Sequence, residues 1–285
     1  MALQETISEL ATRSILLEVS CHPKPGLVTP YTTGCHGDMD YFLFLKSTAV
    51  LSQGFRSITE IGHGFDGPVS DLLRPIRTKG VEMEKRMFEV TNGINTQKGL
   101  VFLFCMLLGG AGRLIKSNNV ACDNIVRTAS EITSGIVEKE LYPLTAKDLK
   151  SLSKGERIFV KHGLAGIRGE VERGLPSVMK KGLPEFTRTM EETNDINKSA
   201  IQALLSLMTT VEDTNIVSRA GIDVYNNVKN MAQLVLDNGG ILTKKGSGGL
   251  DEMDNYFTRN NISPGGSADL LSATMFLYFV ENELF

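Results

Sequence analysis

The chain has 285 residues, enough for one large domain or two small ones with a substantial buried core. Its 30 Lys and Arg residues and 33 Asp and Glu residues give a net charge of -3, which argues against a large electrostatic surface for nucleic acid. Hydrophobic residues make up 41% and charged residues 22%, as in an ordinary globular protein. This composition excludes the disordered and fibrous classes.

The cysteines and the N-terminal segment indicate a reducing compartment. Residues 1–11 carry Glu5 and Glu9 and lack the apolar core of a secretory signal, so we expect a cytoplasmic protein with free thiols. The longest uncharged stretch covers the fourteen residues from Gly99 to Gly112, whereas crossing a bilayer takes about 20 apolar residues. It therefore predicts a buried core helix and no membrane association. The four cysteines are Cys21, Cys35, Cys105 and Cys122.

Apolar residues at helical spacing dominate the chain from its first residues onward. No run of alternating β-branched residues indicates a strand, and no segment repeats at a fixed period. The sequence therefore predicts an all-α fold with a single domain over residues 1–285, whose Gly-rich loops carry the polar chemistry. The predicted helices cover residues 3–19, 38–52, 69–90, 97–115, 119–140, 145–161, 176–190, 194–210, 216–237, 249–260 and 267–283.

A long loop over residues 22–37 separates the first two predicted helices, and long loops in compact domains are usually functional. Two prolines hold Lys24 on stiff backbone there, which suits contact with a phosphate or a carboxylate. Asp38 and Asp40 open the next helix, where a carboxylate either caps free amides or binds a metal. Zinc is not expected, because the two Cys-His pairs of this region, Cys21-His22 and Cys35-His36, lack Cys-x-x-Cys spacing.

Two further segments place a cation beside a turn. Asn95 or Thr96 is suited to cap the helix that follows, whose free amides would bind an anion together with Lys98. Ordinary capping with a surface lysine is the alternative. Arg168 stands close to glycines, which suits two-pronged contact with a phosphate. Glu170 would hold Arg168, bind a metal or act as a base, and a plain Arg–Glu pair is the alternative.

The remaining polar segments lie in the second half of the chain. Asp213-Thr214-Asn215 follows an apolar helix and suits either coordination of hydrated Mg²⁺ or a turn. Gly265 and Gly266 precede Ser267 at the start of the last predicted helix, which makes a turn accessible to phosphate. Residues 246–249 predict a flexible loop that closes over a substrate, or a plain linker. Together these segments suit a Mg²⁺–polyphosphate ligand.

In this order, the motifs resemble those of the triphosphoribosyl-dephospho-CoA synthase family, which supplies the prosthetic-group precursor of citrate lyase and of malonate decarboxylase. The family usually continues Gly-Leu-Val with Asp-Arg, whereas this chain has Thr29-Pro30, and it often has a small residue where Cys35 stands. The matching segments are Pro23 to Val28, Gly34, His36, Asp38 to Asp40, Glu84-Lys85, Met87-Phe88, Thr91, Gly93 to Thr96, Lys98-Gly99, Gly163, Gly166 to Glu170, Asp213 to Asn215 and Pro264 to Leu271.

The resemblance implies a transfer in which the ribose 2′-hydroxyl of 3′-dephospho-CoA attacks C1′ of the ATP ribose and adenine leaves. It implies Mg²⁺ as the cofactor, ATP and 3′-dephospho-CoA as ligands, and a functional link to the enzyme that loads the lyase acyl carrier subunit. Two alternatives stay open. One is a Mg²⁺-dependent N-glycoside hydrolase of a nucleotide or an ADP-ribose conjugate, and the other is a non-catalytic helical protein that binds a nucleotide or CoA.

The matched motifs also supply the predicted site residues. Glu170 or His36 would take the hydroxyl proton, and a nearby carboxylate would stabilise positive charge on the ribose. The predicted catalytic residues are Glu170, His36 and Glu84. The predicted metal contacts are Asp38, Asp40, Glu84 and Asp213. The predicted substrate-binding residues are Lys24, Asn95, Thr96, Lys98, Arg168, Asn215, Gly265, Gly266 and Ser267.

Overall fold

The computed structural model describes residues 3–284, which form helices joined by turns and short loops. No strand occurs in that part of the chain, and the predicted all-α fold is confirmed. Short 3₁₀ turns and one π-helical turn connect some of the elements. The α-helices are α1 Leu3–Ser20, α2 Tyr41–Gly64, α3 Leu73–Val90, α4 Lys98–Ile115, α5 Cys122–Ile132, α6 Ile136–Glu140, α7 Lys154–His162, α8 Gly166–Glu172, α9 Leu183–Thr193, α10 Ile196–Met208, α11 Thr214–Ala220, α12 Ile222–Asp237, α13 Lys244–Arg259 and α14 Gly265–Glu283.

The apolar helix α4 lies in the core, packed against α2, α3 and α5. Of all helices within residues 3–284, it alone is long and apolar enough to cross a membrane by length and composition, but 67% of it is buried inside the protein. The predicted core helix is therefore confirmed. The main hydrophobic core contains buried side chains from Ile7 in α1 to Val280 in α14, and the single-domain organisation stays a prediction.

Glycines set the contact between α2 and α4. A Cβ atom added at Gly62 would lie 2.2 Å from the Gly109 carbonyl oxygen, and one added at Gly112 would lie 2.1 Å from the Thr59 carbonyl oxygen. Residues with side chains would hold the two backbones apart. The prediction that the second helix ends at residue 52 is therefore wrong, because Gly62 belongs to a helix that passes close to its neighbour rather than to a connecting loop.

Other predicted elements also differ from the structure, among them 216–237, which Gly221 divides into α11 and α12. The stretch 119–140 is two helices, because Gly135 has a φ of 74° and ends the regular backbone between α5 and α6. Residues 246–249 lie in the first turns of α13, where the Thr243 side chain accepts a hydrogen bond from Gly246 N at 3.0 Å. A Cβ atom at Gly246 would lie 2.0 Å from the Gly240 carbonyl oxygen. These glycines permit close packing, and the predicted flexible loop is wrong.

Candidate active site

Asp213 joins the first turns of α11 and α14. Its Oδ1 accepts hydrogen bonds from Asn215 N at 3.1 Å and Ile216 N at 3.4 Å. Its Oδ2 accepts from Ser267 N at 2.8 Å and Ser267 Oγ at 3.0 Å. Burial raises the pKa of Asp213, while the hydrogen bonds from Ser267 oppose that shift. Because protein donors already surround this carboxylate, its first role is to hold the two helices together.

The glycines at the start of α14 lie against this junction. A Cβ atom at Gly266 would lie 3.1 Å from Cγ of Asp213, and one at Gly265 would lie 2.8 Å from Nδ2 of Asn215. Only glycine permits this approach without displacing the neighbouring side chains. The structure thus brings together four predicted substrate-binding residues, which are Asn215, Gly265, Gly266 and Ser267.

The first turn of α14 also meets the N-terminus of α4. A Cβ atom at Gly99 would lie 2.5 Å from Oδ2 of Asp269. Beside it, Lys98 is more than half exposed, and its Nζ lies 3.2 Å from Oε2 of Glu84. The side chain of Asn95 accepts a hydrogen bond from Lys98 N at 3.0 Å, but the N-cap residue of α4 is Gln97, so the prediction that Asn95 or Thr96 occupies the N-cap is wrong by one or two positions. Gly99 therefore borders the α14 turn, and Glu84 of α3 pairs with Lys98, the residue next to it.

Thr96 is turned toward α2 rather than outward. Its Oγ1 lies 2.8 Å from Oγ of Ser47, and Ser47 in turn donates to Oε1 of the buried Gln97 at 2.7 Å. This network fixes the turn before α4. The substrate-binding role of Thr96 stays a prediction.

Asp269 is an acidic residue of this site that the sequence reasoning did not single out. Its carboxylate makes no hydrogen bond or ion pair with another residue of the described chain, residues 3–284. Burial raises its pKa well above the ordinary value, and the negative charges of Glu18 and Asp213 add to that shift. A signal was present, because Asp269 stands in the matched segment one turn after the glycines.

Lys24 is buried and pairs with Glu18, one of the two acids whose charges act on Asp269. Its Nζ donates to Oε1 of Glu18 at 2.5 Å and to the Glu18 carbonyl oxygen at 2.6 Å. The two side chains are 1% and 7% exposed, so this is an internal ion pair. The phosphate-binding role of Lys24 stays a prediction, but two of its three ammonium hydrogens already have acceptors.

His36 lies on the other side of α11. Its Nε2 is 3.0 Å from Oγ of Ser263, and its Nδ1 is 3.1 Å from Nη2 of Arg219 and 3.6 Å from Oδ1 of Asp38. Burial and the Arg219 charge lower the pKa of His36, whereas Asp38 opposes the shift. Sequence reasoning missed Arg219, which belongs to no matched motif and lies 183 residues from His36 in the chain.

The predicted residues of α8 are set apart from the α4–α14 contact. Nε of Arg168 lies 3.8 Å from Oε2 of Glu140, whose Oε1 lies 2.5 Å from Nη2 of Arg77. Arg77 and Glu84 stand seven residues apart on α3, about 10 Å along the helix. Arg168 thus lies toward the far end of the same helix face as Glu84, and its phosphate-binding role stays a prediction.

Glu170 has internal partners. Its Oε1 accepts a hydrogen bond from Ser177 N at 2.6 Å, and its Oε2 lies 3.9 Å from Nη2 of Arg173. Burial raises the pKa of Glu170, and the hydrogen bonds from Ser177 oppose that shift. The carboxyl group thereby caps the turn that leads to the π-helical segment 178–182. Its role as a base stays a prediction.

The four predicted metal contacts do not gather into a protein-only metal site. Within residues 3–284, no three His, Cys, Asp or Glu side chains are placed to hold one ion. Asp40 accepts a hydrogen bond from Leu43 N at 2.8 Å and is the N-cap of α2. Asp38 faces His36, Glu84 pairs with Lys98, and Asp213 accepts its hydrogen bonds from α11 and α14.

Comparisons with known proteins point to one activity. The profile of the family described as ATP:dephospho-CoA triphosphoribosyl transferase matches residues 4–284. A protein of Malonomonas rubra named probable 2-(5''-triphosphoribosyl)-3'-dephosphocoenzyme-A synthase is 38% identical over 280 residues, covering 98% of this chain and 89% of that protein. The 2-(5''-triphosphoribosyl)-3'-dephosphocoenzyme-A synthase of Klebsiella pneumoniae is also 38% identical, over 283 residues. The match covers 97% of this chain and 91% of that protein. No solved structure matches this chain.

Proposed function

Because the chain belongs to the ATP:dephospho-CoA triphosphoribosyl transferase family, we propose that its active site lies where α4, α11 and α14 begin. The enzyme transfers the triphosphoribosyl group of ATP to dephospho-CoA. In this reaction the ribose 2′-hydroxyl forms a bond to C1′ of the ATP ribose. Adenine leaves with the electrons of the broken N-glycosidic bond, and the triphosphate stays on the transferred sugar.

One observation supports this location above the others, namely the contact between Gly99 at the start of α4 and Asp269 in the first turns of α14. Both helices direct the positive ends of their dipoles toward this place, which favours a polyphosphate. Lys98 adds an exposed positive charge at the same terminus. We assign the triphosphate to Lys98, Asn215 and the Gly265–Ser267 turn.

The carboxylates fit the Mg²⁺ that the family chemistry implies. Mg²⁺ in nucleotide sites usually takes one or two protein carboxylates together with substrate phosphates and water. Asp269 suits this role because no described donor occupies its oxygens, and we propose it as the residue that holds the ion. Bound there, Mg²⁺ supplies neutralisation of the triphosphate charge and helps to orient the ribose. The predicted metal contacts of Asp38, Asp40, Glu84 and Asp213 stay predictions, because each of these carboxylates has a partner of its own in the structure.

Two further tasks fall to side chains of the protein, namely stabilising charge on the ribose and accepting the proton of the 2′-hydroxyl. A carboxylate near C1′ stabilises the positive charge that develops on the ribose as the N-glycosidic bond breaks. Of the three predicted catalytic residues, Glu84 is partly exposed and pairs with Lys98 at the start of α4, whereas Glu170 is held by Ser177 N and His36 by Ser263. We therefore propose that Glu84 accepts the proton from the 2′-hydroxyl.

The test is incubation of the purified chain with ATP, 3′-dephospho-CoA and Mg²⁺, following adenine release and the mass of the CoA product. We expect adenine in equal amount to a triphosphoribosyl adduct of dephospho-CoA. Adenine without an adduct would identify a hydrolase, and binding of both ligands without adenine release would identify a non-catalytic protein. Either result contradicts the proposal.

The role of Glu84 is tested by replacing it. Loss of a general base lowers rates by about 10²- to 10⁴-fold, so Glu84→Gln should lower kcat by that factor while the protein stays folded. Glu89→Gln is the matched control, because Glu89 is an exposed glutamate of the same helix whose partner is the exposed Lys85. Equal activity in both variants would remove Glu84 from the mechanism.

Two wider assignments follow from the reaction. We infer that the product is consumed by an enzyme that loads an acyl carrier subunit, of citrate lyase or of malonate decarboxylase, since the family resemblance implies that the product is a prosthetic-group precursor. We also place the protein in the cytoplasm, where ATP is available and where its four thiols remain free. Fractionation of cells followed by the adenine-release assay tests the second assignment.

A further inference from the structure

Arg219, in the last turn of α11, is an exposed cation held by neutral groups. Its Nη1 donates to Oδ1 of Asn261 at 2.6 Å, and its Nη2 donates to Nδ1 of His36 at 3.1 Å. No carboxylate within residues 3–284 lies within 4.0 Å of its guanidinium nitrogens. Asp38 faces His36 instead, at 3.6 Å. The guanidinium is therefore fixed in place while its full positive charge stays available.

The hydrogen atoms of the guanidinium show where a ligand would bind. Arginine has five N–H donors in a planar arrangement. Nη1 is directed to Asn261 and to Sγ of Cys35 at 3.6 Å, and one hydrogen of Nη2 is directed to His36. This leaves Nε–H and one hydrogen of Nη2 without an acceptor among residues 3–284. These two donors remain available for the oxygens of a phosphate group.

The contact with Arg219 also assigns the tautomer of His36. An arginine has only donors, so Nδ1 of His36 accepts, and its proton lies on Nε2, which donates to Ser263 Oγ. Both ring nitrogens are thereby occupied. His36 then holds Arg219 between α11 and the segment before α14, which is a positioning role rather than that of a base.

We propose that Arg219 binds a phosphate group of one of the two nucleotide substrates, and that His36 and Asn261 hold its guanidinium for that contact. This inference rests on the proposed function. Arg219 stands six residues after Asp213, about 9 Å along α11 from the junction with Ser267. That separation lets the guanidinium reach a phosphate beyond those held at the α14 turn.

The experiment measures KM and kcat for ATP and for dephospho-CoA separately in Arg219→Gln and Arg219→Lys. A hydrogen bond to a charged group contributes enough for us to expect Arg219→Gln to raise KM of one nucleotide by about 10- to 100-fold, with kcat changed by less than about 3-fold. Arg219→Lys should restore part of the affinity, because it keeps the charge and loses the paired geometry. The nucleotide whose KM rises identifies which phosphate chain is bound.

The control is Arg127→Gln, an exposed arginine of α5 whose partners are Asn124 and Glu131. Its KM values should equal those of the wild type. If the wild type releases adenine and Arg219→Gln has unchanged KM for both nucleotides, the inference about Arg219 is wrong while the proposed function stands. If the wild type releases no adenine from ATP and dephospho-CoA, the proposed function itself fails.

The positioning role of His36 has its own readout. His36→Ala should raise KM of the same nucleotide as Arg219→Gln, and the double variant should show little beyond the Arg219 effect, because the two residues act as one unit. A folded His36→Ala variant that loses kcat with unchanged KM would instead make His36 a catalytic group. Fully additive effects on KM would also contradict the positioning role.

Discussion

Among the buried and half-buried acids of this protein, Asp269 differs from the others in its partners. Glu18 has the Lys24 ammonium, Asp213 has the α11 and α14 amides, and Glu170 has Ser177 N. Asp269 has no such group among the described residues, and the charges of Glu18 and Asp213 stand near it. A carboxyl group in these surroundings holds its proton to a higher pH than usual.

This leads to a prediction for the pH dependence of nucleotide binding. The pKa of Asp269 is raised in the free protein, and a bound cation lowers it again. Between the two values, binding of preformed Mg·ATP must release a proton, so affinity should rise with pH until the free-protein pKa is passed and then level off. Calorimetric titration in buffers of different ionisation enthalpy measures the released proton.

The matched variant is Asp269→Asn, which keeps the shape of the side chain and breaks no hydrogen bond seen in the structure. It should fold as the wild type does, bind Mg·ATP more weakly and release fewer protons. Identical proton release in the two proteins would show that Asp269 does not titrate on binding.

For single residues, the sequence predicted which side chains take part in polar contacts better than it predicted which groups they contact. Lys24 was expected to contact a phosphate or a carboxylate, and the structure shows a carboxylate, Glu18, only six residues earlier in the chain. Opposite charges on either side of a helix end were a usable signal for that pair. Arg219 left no comparable signal, because its partners His36 and Asn261 come close only in the folded chain.

Among the helices, the α2–α4 contact gives the sharpest prediction about packing. Gly112→Ala places a Cβ atom 2.1 Å from the Thr59 carbonyl oxygen and 3.0 Å from His63 N, and neither backbone atom moves without shifting a helix. Alanine improves helix propensity by up to about 1 kcal/mol, but overpacking costs about 1–3 kcal/mol and should prevail. We expect a lower free energy of unfolding in urea titrations.

Gly64→Ala is the control, since it lies in the same helix pair and no heavy atom lies within 4 Å of the added Cβ. Its stability should match or exceed that of the wild type. If Gly112→Ala proves as stable as Gly64→Ala, the close approach of the two helices is wrong.

The helical periodicity predicted most elements, whereas glycine was the main source of error. Gly62 falls between the predicted helices 38–52 and 69–90, and Gly246 falls in the predicted flexible loop, but both lie in helices that pass close to other backbone. A glycine in a turn and a glycine in a tight helix contact look alike in a single sequence. Only the neighbour across the contact distinguishes them.

On the scale of the whole molecule, the candidate site depends on the core. The helices α3, α11 and α14 come from distant parts of the chain, and they assemble because α3 and α14 pack on α4 and α11 packs on α14. Local motifs therefore identified these segments, but their assembly required the fold. The site should consequently be lost together with the core, and not piece by piece.

Alkylation of the four cysteines can test whether the site and the core unfold together. Cys21, Cys105 and Cys122 are at most 6% exposed, and burial raises the pKa of all three thiols, for Cys21 to about 12. Cys35 is partly exposed beside Arg219, although burial raises its pKa as well. In the native protein a small alkylating reagent should modify Cys35 first, and the other three only at the rate of global unfolding.

Alkylation should therefore have a fast phase, from Cys35, and a slow phase, from the other three thiols. The Cys35→Ser variant should remove the fast phase and leave the slow phase unchanged. Addition of Mg·ATP and dephospho-CoA should slow both, the fast phase by covering Cys35 and the slow phase because ligands that bind only the folded state stabilise it. Mass spectrometry of quenched samples counts the modified thiols. Fast modification of Cys105, which is 1% exposed in α4, would show that the core opens independently of the site.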